Sequence, residues 1–331
     1  MSVDTSIPEV AFAIHTVRSA AQIAQRVQAG MEIANLTKSD LSPVTVADFA
    51  VQAFAAHALE QAFPGEPLVA EETSKELRDN DDVMDAVVQF VATATPEAER
   101  DAVCAWIDRG AGAPTGRYWI MDPVDGTKGY LRGGHYAIAL ARITDGQVDL
   151  GVFGCPNLGA GCVPEPHGTG VLVLATRGQG AWHTPLNEEA GLEPMHVSAC
   201  TDAAQARMLR SYEASHTNAH QVDELARALG LEAEPVLIDS MAKYAVLGAG
   251  NGELLVRLLS PKRPDYREKV WDQAAGSIIV EEAGGRITDL AGRPLDFTQG
   301  RTLANNRGIL ASNGRLHEAA LEAVAQVAGR D

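Results

Sequence analysis

The chain of 331 residues is 46% hydrophobic, which is enough for one large domain or two medium-sized domains with substantial cores. Its formal net charge of -17 argues against a nucleic-acid-binding protein, because such proteins carry basic patches that neutralise phosphates. The start of the chain has no basic cluster before an apolar run, and no stretch of about 18 uncharged apolar residues follows. We therefore expect neither a signal peptide nor a membrane-spanning helix.

The four cysteines are Cys104, Cys155, Cys162 and Cys200, and they form no C-x-x-C pair. This spacing is typical of neither a zinc site nor a disulfide framework. We expect free thiols that act as small core hydrophobes, and therefore a cytoplasmic protein.

The first third of the chain predicts two long helices. Apolar residues recur at steps of three and four from about Pro8, and a second such pattern runs over residues 45–63. The acidic stretch 79–101 contains a short apolar helical patch, which predicts an excursion over the surface.

One strand is predicted to begin at Tyr118, and from Tyr136 the pattern is typical of a sheet, with a hairpin signal at Asp145-Gly146. Beyond about residue 200, short apolar strands alternate with helices, one of which begins at Asp272. We predict α/β layers with two sheets, divided into an N-terminal half over residues 1–190 and a C-terminal half over residues 191–331.

The segment W-I-M-D-P-V-D-G-T-K-G-Y-L-R-G-G concentrates two carboxylates in one turn. A buried strand is predicted to end at Asp122, and Pro123 turns the chain because it lacks a backbone donor. Asp125 follows three residues later, so both carboxylates and the Val124 carbonyl can face one space. Such hard oxygens suit Mg²⁺, although Asp-Pro and Asp-Gly are also ordinary turn dipeptides.

Gly126 and Thr127 then open a predicted helix, whose first N–H groups can face a phosphate. Further acids stand at similar places, with Glu71 and Glu72 after a short apolar strand and Asp272 at the head of a helix. The simpler interpretation is a solvated helix start for Glu71 and Glu72, and an N-cap for Asp272.

Thr45 and Asp48 have a simpler interpretation too, as a capping box of the second helix. Together, however, four acidic segments stand beside strand ends or helix starts, and this favours a cation site.

Other nucleotide and hydrolase motifs are absent. No lysine follows a glycine, which excludes a Walker P-loop, and neither G-x-G-x-x-G nor G-x-S-x-G occurs. His216 and His220 are four residues apart but lack an H-E-x-x-H context, which argues against zinc.

Four segments resemble the metal-site motifs of the inositol monophosphatase superfamily. They are P-L-V-A-E-E, W-I-M-D-P-V-D-G-T-K-G-Y, V-W-D-Q-A-A-G-S-I-I-V-E-E-A-G-G and K-S-D-L-S-P-V-T-V-A-D-F-A-V-Q. Within it, the chain most resembles the 3'(2'),5'-bisphosphate nucleotidases, through Y-R-E-K-V-W-D and P-L-D-F-T-Q-G-R-T-L-A-N-N-R-G-I-L-A-S. The resemblance covers roughly residues 8–326.

The resemblance implies a five-layered αβαβα sandwich of the sugar-phosphatase type and a metal-assisted hydrolysis. Asp48 and Thr127 would orient and deprotonate the attacking water. The residues that would hold two or three Mg²⁺ ions are Glu71, Asp122, Val124 through its carbonyl, Asp125 and Asp272.

The resemblance also implies substrate contacts, most of them in the C-terminal half. They are Gly126, Thr127, His216 in S-Y-E-A-S-H, Ser240 and Lys243 in D-S-M-A-K-Y, Arg257 in L-V-R-L, and Tyr266. The sequence departs from the family pattern at Gln273, where histidine is frequent, and at Thr217-Asn218. These departures concern the substrate preference and leave the metal chemistry intact.

The implied reaction is hydrolysis of the 3'(2')-phosphate of adenosine 3'(2'),5'-bisphosphate to AMP and phosphate, with the sulfated analogue as a further substrate. We therefore expect an enzyme of sulfur metabolism that is inhibited by Li⁺. We also expect a monomer or weak homodimer. Alternatives are an inositol phosphate or sugar bisphosphate phosphatase on the same scaffold, and a non-catalytic nucleotide sensor. The sensor predicts loss of at least one metal carboxylate, and all are present.

Overall fold

The computed structural model describes residues 3–33, 43–212, 219–259, 263 and 265–328. The elements up to the end of the first sheet are α1 (Pro8–Ile33), α2 (Pro43–Ala62), β1 (Leu68–Ala70), α3 (Lys75–Arg78), α4 (Asp81–Ala92), α5 (Arg100–Asp108), β2 (Arg117–Asp125), α6 (Thr127–Leu131), β3 (Ala137–Thr144), β4 (Gln147–Cys155), β5 (Val171–Thr176), β6 (Gly180–Pro185) and β7 (Glu193–Met195). The remaining elements are β8 (Met208–Arg210), α7 (Ala219–Leu229), β9 (Val236–Leu237), α8 (Ala242–Gly248), β10 (Leu254–Arg257), α9 (Ala274–Glu282), β11 (Arg286–Thr288), β12 (Ile309–Ser312) and α10 (His317–Ala328).

Two sheets organise these elements. The seven-stranded sheet follows the chain order from β1 to β7, and its neighbours are antiparallel except for the parallel pair β1 and β2. The five-stranded sheet has the order β11-β12-β10-β8-β9, in which β8 pairs in parallel with both β10 and β9. The division of the chain at residue 190 stays a prediction.

Helices cover both sheets and separate them. α1 and α2 pack on one face of the seven-stranded sheet, α8 and α9 lie between the two sheets, and α7 and α10 cover the five-stranded sheet. Side chains alternate along β3. Ile138 and Leu140 pack in the outer core, which lies between the seven-stranded sheet and the helices α1 and α2. Ala139 and Ala141 pack on the other face, in the core between the sheets. The predicted five-layered αβαβα arrangement is confirmed.

The acidic stretch 79–101 is not a surface excursion, so that prediction is wrong. It contains α4, in which Val83, Val87 and Val91 are buried in the outer core at steps of four residues. Acidic residues occupy the outer face of this helix. Because they are frequent in this stretch, the narrow apolar face of the helix was underestimated from the sequence. Among the described residues, no helix has the length and apolar character that crossing a bilayer requires.

A buried histidine predicts acid sensitivity of the fold. His317 is 0% exposed, and its two ring nitrogens each lie 2.9 Å from a hydroxyl, of Thr288 and of Ser312. Burial lowers the pKa of His317 from 6.5 to about 4, so the unfolded chain takes up its proton first as the pH falls. The stability that neutral His317 contributes is therefore present above pH 6.5 and is lost as the pH falls towards 4.

We expect the free energy of unfolding in urea to fall by up to about 1.4 kcal/mol per pH unit in this window through His317 alone. The control is His317→Gln, measured over the same pH range, because other groups also titrate there. The variant should be less stable at pH 7 and show a shallower pH dependence. Parallel pH profiles for the two proteins would contradict the assignment.

Candidate active site

The backbone around the acidic residues that follow β1 is held by two side chains, the buried Gln52 and the half-buried Arg301. Gln52 on α2 donates from Nε2 to the carbonyl of Glu72 at 2.8 Å and accepts the N–H of the same residue at Oε1, at 2.9 Å. The guanidinium of Arg301 donates to the carbonyl of Ala70. Because backbone groups on either side of Glu71 are fixed in this way, the Glu71 carboxylate has a defined place at the end of the strand.

β2 does not end at Asp122, as the sequence predicted, but continues to Asp125 through a bulge. Asp122 pairs with Ala139 and Asp125 with Ala137, so β2 carries one residue more than its partner strand between these pairs. Pro123 is accommodated because a bulge residue donates no ladder hydrogen bond. The bulge presents both carboxylates in the same region, which the turn was predicted to do.

The D-P-V-D-G-T turn packs tightly against the segment before α8. Gly126 has a φ of +95°, and a Cβ there would lie 2.6 Å from the Cβ of Ser240, so only glycine fits. Ser240 itself has a φ of +66°, a conformation that is strained for a side chain other than glycine. The next N–H, of Met241, donates to Oδ2 of Asp125. The two segments therefore fix each other.

The predicted metal carboxylates share one region of negative potential. Burial raises the pKa of Asp48 and of Asp122 well above the usual range, and the neighbouring carboxylates add to both shifts. Burial also raises the pKa of Glu71, helped by Asp125, and that of Asp272 to about 7. Carboxylates that destabilise one another's charged form are the environment that a bound cation relieves.

Asp122 shows this most clearly. Its side chain is 3% exposed, and Oδ1 is buried with no hydrogen-bond partner among the described residues. A buried charged oxygen without a partner is costly, and a cation would satisfy it. The Val124 side chain is a hydrocarbon buried in the core, and the only oxygen that this residue could offer a metal ion is its backbone carbonyl.

In the described part of the chain, no three acidic, histidine or cysteine side chains stand together in a group that could hold a metal ion. The protein contacts of the carboxylates explain this, since Asp125 accepts the Met241 N–H and Asp272 lies 3.7 Å from a nitrogen of Arg257. Mg²⁺ typically keeps several water ligands and so does not require an enclosing cage. The donor set of hard oxygens therefore fits Mg²⁺.

The structure contradicts the simpler interpretation of Asp48 as part of a capping box and of Asp272 as an N-cap. α2 begins at Pro43, so Thr45 and Asp48 lie inside the helix and not at its N-cap. α9 begins after the N-cap residue Gln273, so Asp272 precedes the cap.

A cleft of about 680 Å³ brings most of the predicted site residues together. Of the predicted residues, those that line it are Glu71, Asp125, Gly126, Thr127, Ser240, Lys243, Arg257, Tyr266 and Asp272. Asp48, Asp122 and Val124 are not among the lining residues, and His216 lies outside the described residues.

The sequence model of the inositol monophosphatase family matches residues 5–328. The chain belongs to this family. Family members generally depend on a metal ion. The 3'(2'),5'-bisphosphate nucleotidase of Schizosaccharomyces pombe is 39% identical over 311 residues, which cover 89% of this chain and 87% of the relative. An enzyme of the same name from Oryza sativa is 39% identical over 339 residues, covering 96% and 93%.

Solved structures show that the fold is shared with this family. The Thermotoga maritima IMPase superposes with a TM-score of 0.63 at 20% sequence identity, covering 97% of this chain and 98% of that one. The inositol monophosphatase from Anabaena gives a TM-score of 0.61 at 18% identity, covering 95% and 94%.

The cleft of this family member is richer in cations than the whole chain. Among the described residues, six lysines and arginines and four acids line it, whereas the full sequence has 27 lysines and arginines and 44 acids. Four of these cations were not predicted as site residues: Lys128, Arg210, Arg263 and Lys269. No local sequence pattern marks these four residues as part of a site, because each lies in a different segment and the chain as a whole is acidic. The local excess of positive charge suits an anionic ligand.

Lys243 is held at the cleft wall by two hydrogen bonds. Its Nζ donates to Oγ of Ser211 at 3.0 Å and to the carbonyl of Ile238 at 3.3 Å. Burial lowers the pKa of Lys243 to about 8, although Asp125 and Asp239 favour the charged form. The ammonium group is therefore partly desolvated and positioned to meet an anion in the cleft.

Asp239 and Glu268 are two further residues at the site to which sequence reasoning gave no role. Asp239 forms an ion pair with Arg132, at the end of α6, and Glu268 forms one with Arg257. Both acids stand inside motifs that resemble the family, D-S-M-A-K-Y and Y-R-E-K-V-W-D, and that was the signal that could have found them.

Proposed function

We propose that this chain is a Mg²⁺-dependent 3'(2'),5'-bisphosphate nucleotidase, which hydrolyses the 3'(2')-phosphate of adenosine 3'(2'),5'-bisphosphate to AMP and phosphate. The observation that carries the proposal is one cleft in which the carboxylates Glu71, Asp125 and Asp272 stand beside six lysines and arginines of the described part of the chain. Relatives with this printed name are 39% identical over most of the chain. The sulfated analogue is proposed as a second substrate.

The carboxylates form the reactive end of the proposed site. The proposed ligands of two or three Mg²⁺ ions are Glu71, Asp122, Asp125, Asp272 and the carbonyl of Val124. Mg²⁺ bound there would lower the pKa of a water ligand and neutralise charge on the transferred phosphate. In our proposal the Thr127 hydroxyl and the Asp48 carboxylate orient the attacking water, and Asp48 accepts its proton. The reaction requires no protein nucleophile.

The cations serve the phosphate that is not cleaved. Metal ions at the carboxylates can neutralise only the scissile group, and a chain of net charge -17 needs local cations for the second one. Lys243 and Arg257 line the same cleft as Asp125 and are proposed for this role. Gly126, Ser240, His216 and Tyr266 are proposed as further substrate contacts.

A phosphate-release screen tests the substrate. The panel contains adenosine 3',5'-bisphosphate, its sulfated analogue, inositol 1-phosphate, inositol 1,4-bisphosphate and fructose 1,6-bisphosphate. We expect the nucleoside bisphosphate to have a kcat/KM at least about tenfold above those of the inositol and sugar phosphates. A higher value for an inositol or sugar phosphate would favour the alternative phosphatase, and no release from any compound would favour a nucleotide sensor.

The variant Arg257→Ala tests whether Arg257 binds the phosphate that is not cleaved. In the structure Arg257 Nη2 lies 2.9 Å from Glu268 and 3.7 Å from Asp272, so the guanidinium is oriented by acids at the cleft wall. Loss of a charge-assisted contact is worth about 1.5–3 kcal/mol, and we expect kcat/KM to fall roughly 10- to 150-fold with adenosine 3',5'-bisphosphate. The loss should be much smaller with adenosine 3'-monophosphate, which lacks the second group.

The control for this variant is Arg286→Ala, which removes an arginine from β11 in the same sheet. Arg286 pairs with the exposed Glu318 and is not among the residues that line the cleft. It should leave both substrates unaffected. Equal losses on the two substrates in Arg257→Ala would mean that Arg257 supports the fold or the carboxylates instead.

A further inference from the structure

Three buried side chains form a hydrogen-bonded series behind Arg257. The hydroxyl of Tyr244 on α8 donates to Oε1 of Gln273, and Nε2 of Gln273 donates to Oε2 of Glu268 at 3.0 Å. The same carboxylate oxygen lies 2.9 Å from Nη2 of Arg257. Tyr244, Gln273 and Glu268 are buried, whereas the Arg257 side chain is 34% exposed and lines the cleft.

The series has a single direction of donation. An ionised carboxylate only accepts, so the Gln273 amide must turn its NH₂ group towards Glu268. Its carbonyl oxygen then faces Tyr244, whose hydroxyl has its proton free to donate. Each buried polar group in the series therefore has a partner, and the Glu268 carboxylate is fixed from behind.

Glu268 competes with Asp272 for the same guanidinium nitrogen. Arg257 Nη2 is 2.9 Å from Glu268 and 3.7 Å from Asp272. Without the charge of Glu268, the nearest acid for Arg257 would be Asp272, and the guanidinium would be drawn towards it. An arginine paired closely with Asp272 would present fewer of its N–H groups to a ligand in the cleft. The position of Glu268 thus decides where Arg257 points.

We propose that Glu268 and Gln273 are positioning residues that hold Arg257 for the uncleaved phosphate of the substrate. They act through Arg257 and do not themselves line the cleft. The inference rests on the proposed function, since it assigns Arg257 to a phosphate of a nucleotide.

The test measures nucleotide binding without metal or turnover. Isothermal titration calorimetry in EDTA compares AMP, which carries the uncleaved 5'-phosphate, with adenosine, which lacks it. For the unmodified protein we expect AMP to bind more tightly than adenosine. Glu268→Gln should weaken AMP binding roughly tenfold or more and leave adenosine binding unchanged. Gln273→Met, which keeps the size of the side chain but removes its donor, should act in the same direction.

Gln273→His provides the rescue. One ring nitrogen can accept from Tyr244 while the other donates to Glu268, so this variant should retain the preference for AMP. The pair Gln273→Met and Gln273→His carries the same test if Glu268→Gln does not fold. Melting temperatures of all variants separate a loss of stability from a loss of positioning.

Two results would overturn the inference, and they are distinguishable. An unchanged ratio of AMP to adenosine affinity in Glu268→Gln and Gln273→Met would make both residues merely structural, with the proposed function intact. No preference for AMP in the unmodified protein would remove the nucleotide 5'-phosphate from the cleft and overturn the proposed substrate together with the positioning role.

Discussion

Asp122→Asn is expected to lower kcat by on the order of 10²–10³-fold or more while the protein stays folded. Asp122 is 3% exposed, and its Oδ1 has no hydrogen-bond partner in the described part of the structure. Asparagine has nearly the same shape, but it removes the negative charge that a cation needs there. The effect should therefore fall on catalysis and metal binding and not on packing.

The stability of the same variant provides a second readout. Burial raises the pKa of Asp122, and repulsion from Asp125 and Asp272 raises it further, so the ionised form destabilises the metal-free fold. In EDTA, Asp122→Asn should melt at the same temperature as the unmodified protein or above it. Added Mg²⁺ should raise the melting temperature of the unmodified protein more than that of the variant.

The matched control for Asp122→Asn is Asp85→Asn. Asp85 is exposed and pairs with Arg100 at the surface, so this change should leave turnover intact and alter stability little. Near-normal hydrolysis by Asp122→Asn at saturating Mg²⁺ would remove Asp122 from the metal site.

Removal of divalent cations is expected to abolish phosphate release, and excess Mg²⁺ should restore it. The reason is the set of hard oxygens at one place, in which Oδ1 of Asp122 has no hydrogen-bond partner among the described residues and burial raises the pKa of Asp272 to about 7. Full activity in chelator would exclude the metal mechanism.

The pH dependence of the Mg²⁺ effect follows from the same raised pKa values. Because burial raises the folded-state pKa of these carboxylates, to about 7 for Asp272, their ionisation contributes a loss of stability to the metal-free protein as the pH rises from about 4 to about 7. Below pH 7, Mg²⁺ must displace these protons in order to bind. The increase in the protein's melting temperature on addition of Mg²⁺ should therefore be larger at pH 8 than at pH 5.5. The comparison with and without Mg²⁺ at each pH cancels the opposite effect of His317. An effect of equal size at both pH values would contradict the carboxylate assignment.

Inhibition by Li⁺ is expected from the family resemblance alone. It is measured as residual phosphate release at fixed Mg²⁺, with Na⁺ and K⁺ at the same ionic strength as controls. Insensitivity to Li⁺ would weaken the analogy with the bisphosphate nucleotidases and leave the metal requirement untouched.

Local sequence patterns were enough to place the acids at the ends of their elements. Glu71 follows a three-residue apolar strand, and Asp272 precedes an apolar helix, in both cases within a few residues of the pattern that predicts the element. Such patterns are local because strand and helix periodicities are read over short windows. The α/β layers with two sheets followed from the order of these elements, whereas the five-layered arrangement was implied by the family resemblance.

Only the tertiary structure decided how these segments meet. The bulge that carries Asp125 depends on the register against β3, and the fit of Gly126 against Ser240 joins residues more than a hundred positions apart. The pairing of Arg257 with Glu268 likewise requires β10 and the segment before α9 to approach each other. Contacts of this kind depend on the relative placement of whole elements, which no local periodicity encodes. The carboxylates could therefore be found from the sequence, whereas the pairing of each cation with the acid that orients it could not.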